Sequence, residues 1–196
     1  MLVYYFVDGA YVYFERIAAF KARSGTLFAA GATVFSSGVL PETLKYFFRP
    51  RHIPAPTVGE IAHQFCMWIF IGSTVDRFYW LQAQIFGDGT DAATLLKKIF
   101  VDQIIFSPIL ALIVPVSWYL LREVNYSPKA WKAKATPRLL YQRVIPVLGA
   151  TYAFWPVMLL IIYSMPSLLQ FPLFLFANGA YAILMIFIVR RQTANA

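Results

Sequence analysis

Four polar residues stand inside otherwise apolar runs of the chain and could act on ions or protons. Asp76 is followed by Arg77 in one run, and Asp102 by Gln103 in the next. An Asp at the centre of a membrane helix costs ~2.5 to 3.5 kcal/mol on the insertion scale, so it faces a partner or water rather than lipid. Two interpretations are open: a lining for a path through the membrane, or a structural ion pair that fixes helix register.

The positions of these charges predict that they meet. If the run with Asp76 ends at the membrane face where the run with Asp102 begins, all three charges lie within about two helical turns of that face. We predict that Arg77 bridges Asp76 and Asp102, with Gln103 beside them, and that the cluster narrows or orders a pore. The alternative is a pair that only locks two helices together.

A second group of polar residues, near the other membrane face, comprises Glu42, Lys45, Glu60 and His63. A histidine titrates near neutral pH, so His63 could make a gate sensitive to pH. The alternative interpretation is that these side chains solvate helix ends. The sequence leaves both open.

Other chemistry finds little support in the sequence. The chain has two histidines and one cysteine, and no HExxH or CxxC spacing, so we predict no metal site. No convincing base accompanies a serine or the cysteine, and no glycine loop could cradle a phosphate. We therefore expect a protein that is not an enzyme and needs no cofactor.

Composition places the chain in a membrane. Hydrophobic residues make up 60% of it and charged residues 13%, against roughly 45 to 50% and 25% in soluble domains. The net charge of +8 falls between the apolar runs rather than on one amphipathic face, so we expect no nucleic-acid partner. The pattern predicts an all-α membrane helix bundle, with residues 1–196 as one domain.

Five hydrophobic segments and a short N-terminal interfacial helix follow from the order of apolar and polar residues. The predicted spans are about 25–48, 60–84, 97–121, 144–163 and 168–189, and the interfacial helix covers about 2–20. Small residues crowd the first span, which favours close helix packing in lipid. Thr94 is the expected N-cap of the third.

The connection between the third and fourth spans is the most basic part of the chain. Its cations are Lys129, Lys132, Lys134 and Arg138. Such a segment suits an anionic leaflet, at ~1 kcal/mol per Lys or Arg. By the positive-inside rule this side faces the cytoplasm or the matrix, and Lys21 and Asp88 fall on the opposite side.

Several short motifs, taken in order, carry a family resemblance. Asp102-Gln103 is followed by Pro108, five residues after the glutamine, and downstream come Trp155-Pro156, Pro166 and Tyr181. From about residue 72 onward the chain thus resembles the Mpv-seventeen and peroxisomal membrane protein twenty-two family. It departs from the family pattern at Ser36-Ser37, Gly59, Ser73, Asp76 and Gln170, as a divergent member would.

The resemblance implies a small multi-span protein of the mitochondrial inner membrane, with the peroxisome and the bacterial inner membrane as alternatives. It also implies a channel or pore-like function for small solutes. Five helices leave little room for a wide pore, so self-association is expected. The alternative function is a structural accessory subunit of a larger membrane complex. Membrane lipids are expected partners in either case.

Overall fold

The computed structural model describes residues 9–48 and 55–194, and over these ranges it contains helices and turns but no β-strand. The all-α prediction is thus confirmed for this part of the chain. The chain forms two compact units: the first takes the described residues up to Asp88 and from Ile161 onward, and the second is Gly89–Leu160. That both belong to one membrane domain stays a prediction.

The helices follow one another with short connections. In chain order they are α1 (Ala10–Ser24), α2 (Thr26–Thr33), a first π segment (Val34–Val39), α3 (Leu40–Phe48), α4 (Val58–Phe86), α5 (Ala92–Val101), a second π segment (Asp102–Ile113), α6 (Val114–Glu123), α7 (Pro128–Lys134), α8 (Pro137–Tyr163) and α9 (Ser167–Ala194). A π segment bonds each backbone N–H five residues back instead of four, which widens the helix and often marks a functional position.

Local sequence explains where the long helices begin. At the start of α4, the Thr57 hydroxyl accepts a hydrogen bond from the Glu60 amide at 3.3 Å, and the Glu60 carboxylate accepts one from the Thr57 amide at 2.8 Å. Such a capping box satisfies two backbone donors that the first turn of a helix leaves without partners.

The N-cap of α5 is Asp91, not the predicted Thr94. The Asp91 carboxylate accepts a hydrogen bond from the Thr94 amide at 3.1 Å. Thr94 is instead the third residue of the helix, and its amide is the donor that the cap satisfies. Aspartate and threonine are both good N-caps, so residue preference alone did not decide between them.

Two continuous helical stretches, Thr26–Leu44 and Ala92–Glu123, are long and apolar enough to cross a membrane. A third joins them if Pro137–Ile145 and Val147–Tyr163, bent by 57°, count as one span. The bend falls at Pro146, where the missing backbone N–H breaks the helical ladder. The structure therefore supports two or three spans.

The two other predicted spans lie in α4 and α9. Helix α4 carries Glu60, Asp76 and Arg77, and it is not among the described stretches apolar enough to cross a membrane. In α9 the side chains are described as far as Leu184, and within that part Leu169–Leu184 is apolar. A total of five spans stays a prediction.

Small and aromatic residues hold the first unit together. A Cβ built on Gly72 of α4 would lie 2.6 Å from the Thr33 Cβ and 2.8 Å from the Ala29 carbonyl oxygen, so α2 and α4 pack as closely as their small residues allow. Elsewhere on α4, the Gln82 amide donates to the Tyr163 hydroxyl at 2.7 Å.

Helix α1 packs on α9 and is not an isolated element. Ala18 is buried against Met165 and Leu169, and Phe14 and Leu173 border this contact. The predicted interfacial helix therefore has a protein neighbour along one face. Its first part, residues 2–8, lies outside the described residues, and its depth in a membrane stays a prediction.

Candidate functional site

The first unit carries a partly buried ion pair at one end of its helices. The Lys21 ammonium of α1 lies 2.9 Å from the Asp76 carboxylate of α4, and both side chains are about 15% exposed. The same ammonium lies 5.1 Å from the centre of the Phe171 ring, a cation–π distance. The structure thus gives Asp76 a partner other than the predicted Arg77, and it does so with α1 packed on α9, which in turn contacts α4.

An open cavity of about 470 Å³ lies beside this ion pair. Arg77 and Trp80 line it from successive turns of α4, and both side chains are exposed. The rest of its lining consists of Lys21, Ala22, Gly25, Thr26, Asp76, Tyr79, Ala83, Gln84, Asp88 and Ser167. A volume of this size suits a small ligand.

The four residues predicted as one polar cluster are divided between the two units. Asp76 and Arg77 belong to the first, and Asp102 and Gln103 to the second. Within the first unit, Asp76 and Arg77 line one cavity. A bridge from Arg77 to Asp102 stays a prediction.

A line of buried polar side chains runs from the first π segment to α9. The Asn178 amide donates to the Ser37 hydroxyl, whose oxygen lies 3.2 Å from that of Ser36, and the Ser36 hydroxyl donates to the Thr33 carbonyl at 3.4 Å. Thr33, Ser36, Ser37 and Asn178 are all at most 9% exposed. We call these four residues the polar column.

The polar column contains one hydroxyl without a partner. Thr33 is 0% exposed, and its Oγ1 makes no hydrogen bond with any described residue. Leaving a buried hydroxyl unsatisfied costs ~1 to 3 kcal/mol. Buried sites that retain such a group are candidates for water or for a polar solute.

Two members of the second predicted cluster have contacts with residues outside it. The Gln64 amide donates to the Glu42 carboxylate at 3.4 Å, which joins α3 to α4 one turn after Glu60. His63 is buried, and Glu60 serves the capping box. The Lys45 side chain lies outside the described residues. A pH-sensitive gate at His63 stays a prediction.

In the second unit, the Asp102 and Gln103 side chains form hydrogen bonds with a residue of their own helix. The Ser107 hydroxyl donates to the Asp102 carboxylate at 3.1 Å, and the Gln103 amide donates to the Ser107 hydroxyl at 3.5 Å. Asp102 and Ser107 are five residues apart, which is the spacing that stacks side chains in a π-helix. All three are buried, so the acid is shielded from lipid.

Pro108 explains a second contact of the same segment. It has no backbone N–H, so in a π-helix the carbonyl of Gln103, five residues back, loses its donor. The Tyr152 hydroxyl of α8 donates to that carbonyl at 3.2 Å. A freed carbonyl in a membrane helix must be satisfied by a neighbour, and Tyr152 supplies the bond.

The cations of the predicted basic surface are exposed, but one of its lysines forms an ion pair. Lys129, Lys132 and Arg138 are exposed on and after α7. The Lys134 ammonium lies 3.4 Å from Glu123, which also accepts two hydrogen bonds from Arg143, at 2.6 and 2.9 Å. Glu123 thus compensates part of the positive charge.

Helix α7 itself is fixed to the end of the preceding helix. The Trp131 ring N–H donates to the Ser117 carbonyl at 3.2 Å, and the Ser127 hydroxyl caps the first turn. The exposed lysines are therefore presented by an anchored helix. Their binding to lipid stays a prediction.

Three partners found in the structure were not predicted: Lys21, Asn178 and Tyr152. A signal existed for Lys21, since topology placed it at the membrane face where the second predicted span ends. Asn178 and Tyr152 stand in apolar runs without a pattern that indicates a partner. Among the described residues, no group of three His, Cys, Asp or Glu side chains could hold a metal ion.

The fold and site define a class: an all-helical chain, over the described residues, with two or three helices able to cross a membrane and with polar side chains buried between or within them. No family model, curated protein or solved structure matches the chain. The resemblance based on its motifs therefore stays a prediction.

Proposed function

We propose that this chain is an integral membrane protein of pore-like type that passes small polar solutes and self-associates. The polar column supports this proposal. It contains three hydroxyls and an amide buried among apolar helices, with the Thr33 hydroxyl unpaired among the described residues. Packing alone would favour apolar side chains at these positions, because an unpaired buried hydroxyl is costly.

The column lies between two polar ends of the first unit. Along the chain, the cavity residue Thr26 comes before Thr33 and the two serines, and Glu42 with its Gln64 contact comes after them. The stretch Thr26–Leu44 rises ~28 Å at 1.5 Å per residue, close to the ~30 Å hydrocarbon core of a bilayer. A polar route beside this helix would therefore reach from one headgroup layer to the other.

The column can replace part of the hydration shell of a passing solute. A polar molecule that enters an apolar region loses its hydrogen bonds to water at a cost of several kcal/mol. Pores lower this cost by offering carbonyls, hydroxyls or amides at successive positions. Ser37 and Asn178 can exchange their mutual hydrogen bond for bonds to a solute. The Thr33 hydroxyl can bind a solute without first breaking a hydrogen bond to a described residue.

Solute flux into vesicles that contain the purified protein tests the proposal. Asn178→Leu removes the amide but keeps a similar volume, and we expect it to lower the rate of glycerol entry about tenfold, as an added barrier of ~1.4 kcal/mol would. Gly59→Ala is the matched control, because nothing lies within 4 Å of a Cβ at Gly59. Wild-type rates in Asn178→Leu, with helix content retained, would refute the column as the route.

Asp102 provides a separate test in the second unit. If it borders the path, Asp102→Asn removes the negative charge and should alter the ion selectivity of reconstituted protein in planar bilayers. If it only orders the second π segment, currents should not change, since asparagine can still accept the bond from Ser107.

A structural accessory subunit is the second candidate, and one observation favours it. The stretch Ala92–Glu123 is only 18% buried within the chain, and Leu96, Phe100 and Ile104 are exposed along it. Such a surface suits either lipid or another protein. Purification separates the two functions: a homogeneous oligomer that conducts alone supports the pore, whereas other subunits in fixed ratio support the structural role.

The motif resemblance adds a family and a location to this proposal. We propose a divergent member of the Mpv-seventeen and peroxisomal membrane protein twenty-two family in the mitochondrial inner membrane. The motif that carries the assignment, Asp102-Gln103 with Pro108, lies in the second π segment. Peroxisomal and bacterial inner membranes are the alternatives, and imaging of a tagged chain distinguishes the first two locations.

A further inference from the structure

The cavity of the first unit lies where a membrane helix would leave the hydrocarbon layer. Gly25 and Thr26 line it, and Thr26 is the first residue of the stretch Thr26–Leu44. A span that begins at Thr26 places the cavity at the level of the lipid headgroups. This step rests on the membrane placement in the proposed function and does not require a pore.

Two charges of opposite sign remain available in the cavity. Lys21 and Asp76 neutralise each other at 2.9 Å. Arg77 and Asp88 are exposed, and neither forms an ion pair with another residue in the described ranges 9–48 and 55–194. The cavity thus offers one guanidinium and one carboxylate to a ligand, with no net charge.

Small residues also line the cavity. Ala22, Gly25 and Ala83 face the cavity, and a Cβ built on Gly25 would meet no atom within 4 Å. Trp80 is 63% exposed at the cavity wall. Tryptophan combines an apolar ring with an N–H donor, and it is enriched at the headgroup level of membranes.

We propose that this cavity binds the headgroup of a zwitterionic phospholipid that carries a primary ammonium, as phosphatidylethanolamine does. Arg77 donates to the phosphate, for which a planar guanidinium is well suited. Asp88 accepts from the ammonium. A phosphatidylglycerol headgroup would offer Asp88 no cation, and the quaternary ammonium of phosphatidylcholine would offer it no N–H donor.

Binding to the full-length protein in detergent tests the site without any transport assay. The probes are dihexanoyl lipids with ethanolamine, choline or glycerol headgroups, and soluble phosphoethanolamine, with bound lipid counted by native mass spectrometry. We expect the ethanolamine lipid to bind most tightly. Equal binding of soluble phosphoethanolamine would identify the free headgroup as the ligand and overturn the lipid assignment.

Three variants and a control test whether the ethanolamine lipid binds in the cavity. Arg77→Gln should weaken binding of the ethanolamine lipid about tenfold, through loss of a charge-assisted hydrogen bond. Asp88→Asn should abolish the preference for ethanolamine over choline, and Ala83→Leu should fill the space. Gly59→Ala, on α4 but outside the cavity lining, should leave binding unchanged.

The outcomes separate this site from the pore. Equal affinity for all three lipids in wild type, or unchanged binding in both Asp88→Asn and Ala83→Leu, overturns the proposal even if Arg77→Gln fails to fold. Loss of glycerol flux in Asn178→Leu does not bear on it, because Asn178 does not line the cavity.

Discussion

The two π segments differ in where their buried polar side chains find hydrogen-bond partners. Each buries polar side chains in a stretch that is otherwise apolar enough to cross a membrane. In the first, Ser37 binds Asn178 of α9, so its hydrogen bonds run between helices. In the second, the Asp102 side chain binds Ser107 of its own helix.

This difference indicates which segment can respond to its surroundings. Hydrogen bonds between helices can open when the helices move, and they can be exchanged for bonds to a solute. A side-chain contact at five-residue spacing within one helix persists as long as the π geometry persists. The first segment is therefore the one that fits the proposed transport role.

Overpacking the helix contact beside the first π segment should have the largest effect. Gly72→Ala places a Cβ 2.8 Å from the Ala29 carbonyl oxygen, which is backbone and cannot rotate away. We expect the free energy of unfolding in mixed micelles to fall by ~1 to 3 kcal/mol. Glycerol flux should fall with it, because the polar column borders this contact.

Gly59→Ala, on the same helix, should have the opposite sign. A Cβ there meets no atom within 4 Å, and replacing an exposed helical glycine gains ~0.5 to 1 kcal/mol. If both variants stabilise the protein, α2 and α4 do not pack closely at Gly72, and the contrast between the two π segments loses its basis.

The second π segment predicts a coupling between Pro108 and Tyr152. With proline present, Tyr152→Phe removes the donor to the Gln103 carbonyl and should cost ~0.6 to 1 kcal/mol. With Pro108→Ala, the new amide can satisfy that carbonyl, so Tyr152→Phe should cost almost nothing. A double-mutant cycle on the free energy of unfolding measures this difference.

Tyr141→Phe is the control for that cycle, since Tyr141 lies exposed on the same helix. It should have no effect in either background. Equal costs of Tyr152→Phe with proline and with alanine at position 108 would mean that the tyrosine does not replace the missing backbone donor.

Much of the helical fold could be predicted from the sequence. Apolar runs bounded by prolines, glycines and charges predicted the helices of both units. The small residues of the first predicted span favoured close packing, as found at Gly72. The number of spans could not be read in the same way. Helix α4 is long enough to cross a bilayer, but its charges remove the apolar length, and apolarity alone does not distinguish a broken span from a re-entrant one.

The site was less predictable, for a physical reason. Polar residues in apolar runs are easily recognised in the sequence. Their partners, however, depend on how each helix is rotated about its axis and on whether a segment is an α-helix or a π-helix. Asp102 and Ser107 share a face only because the helix there is π rather than α, and a search at spacings of three and four misses them. Lys21 reaches Asp76 because α1 packs on α9, which also contacts α4, and no local pattern encodes this arrangement.

The smallest predicted effect concerns the helix cap before the second π segment. Hydrogen bonds from the Thr94 side chain and backbone hold the pKa of Asp91 below its ordinary value of 3.8. A lowered pKa in the folded state stabilises the protein above the unfolded pKa, and this contribution is lost as pH falls through the folded value. Asp91→Asn keeps a capping side chain but cannot titrate. The stability of wild type minus that of this variant should therefore be constant from pH 7 to about pH 5 and should decrease below about pH 4. A difference that stays flat to pH 2 would show that the Asp91 charge does not contribute to the stability of the cap of α5.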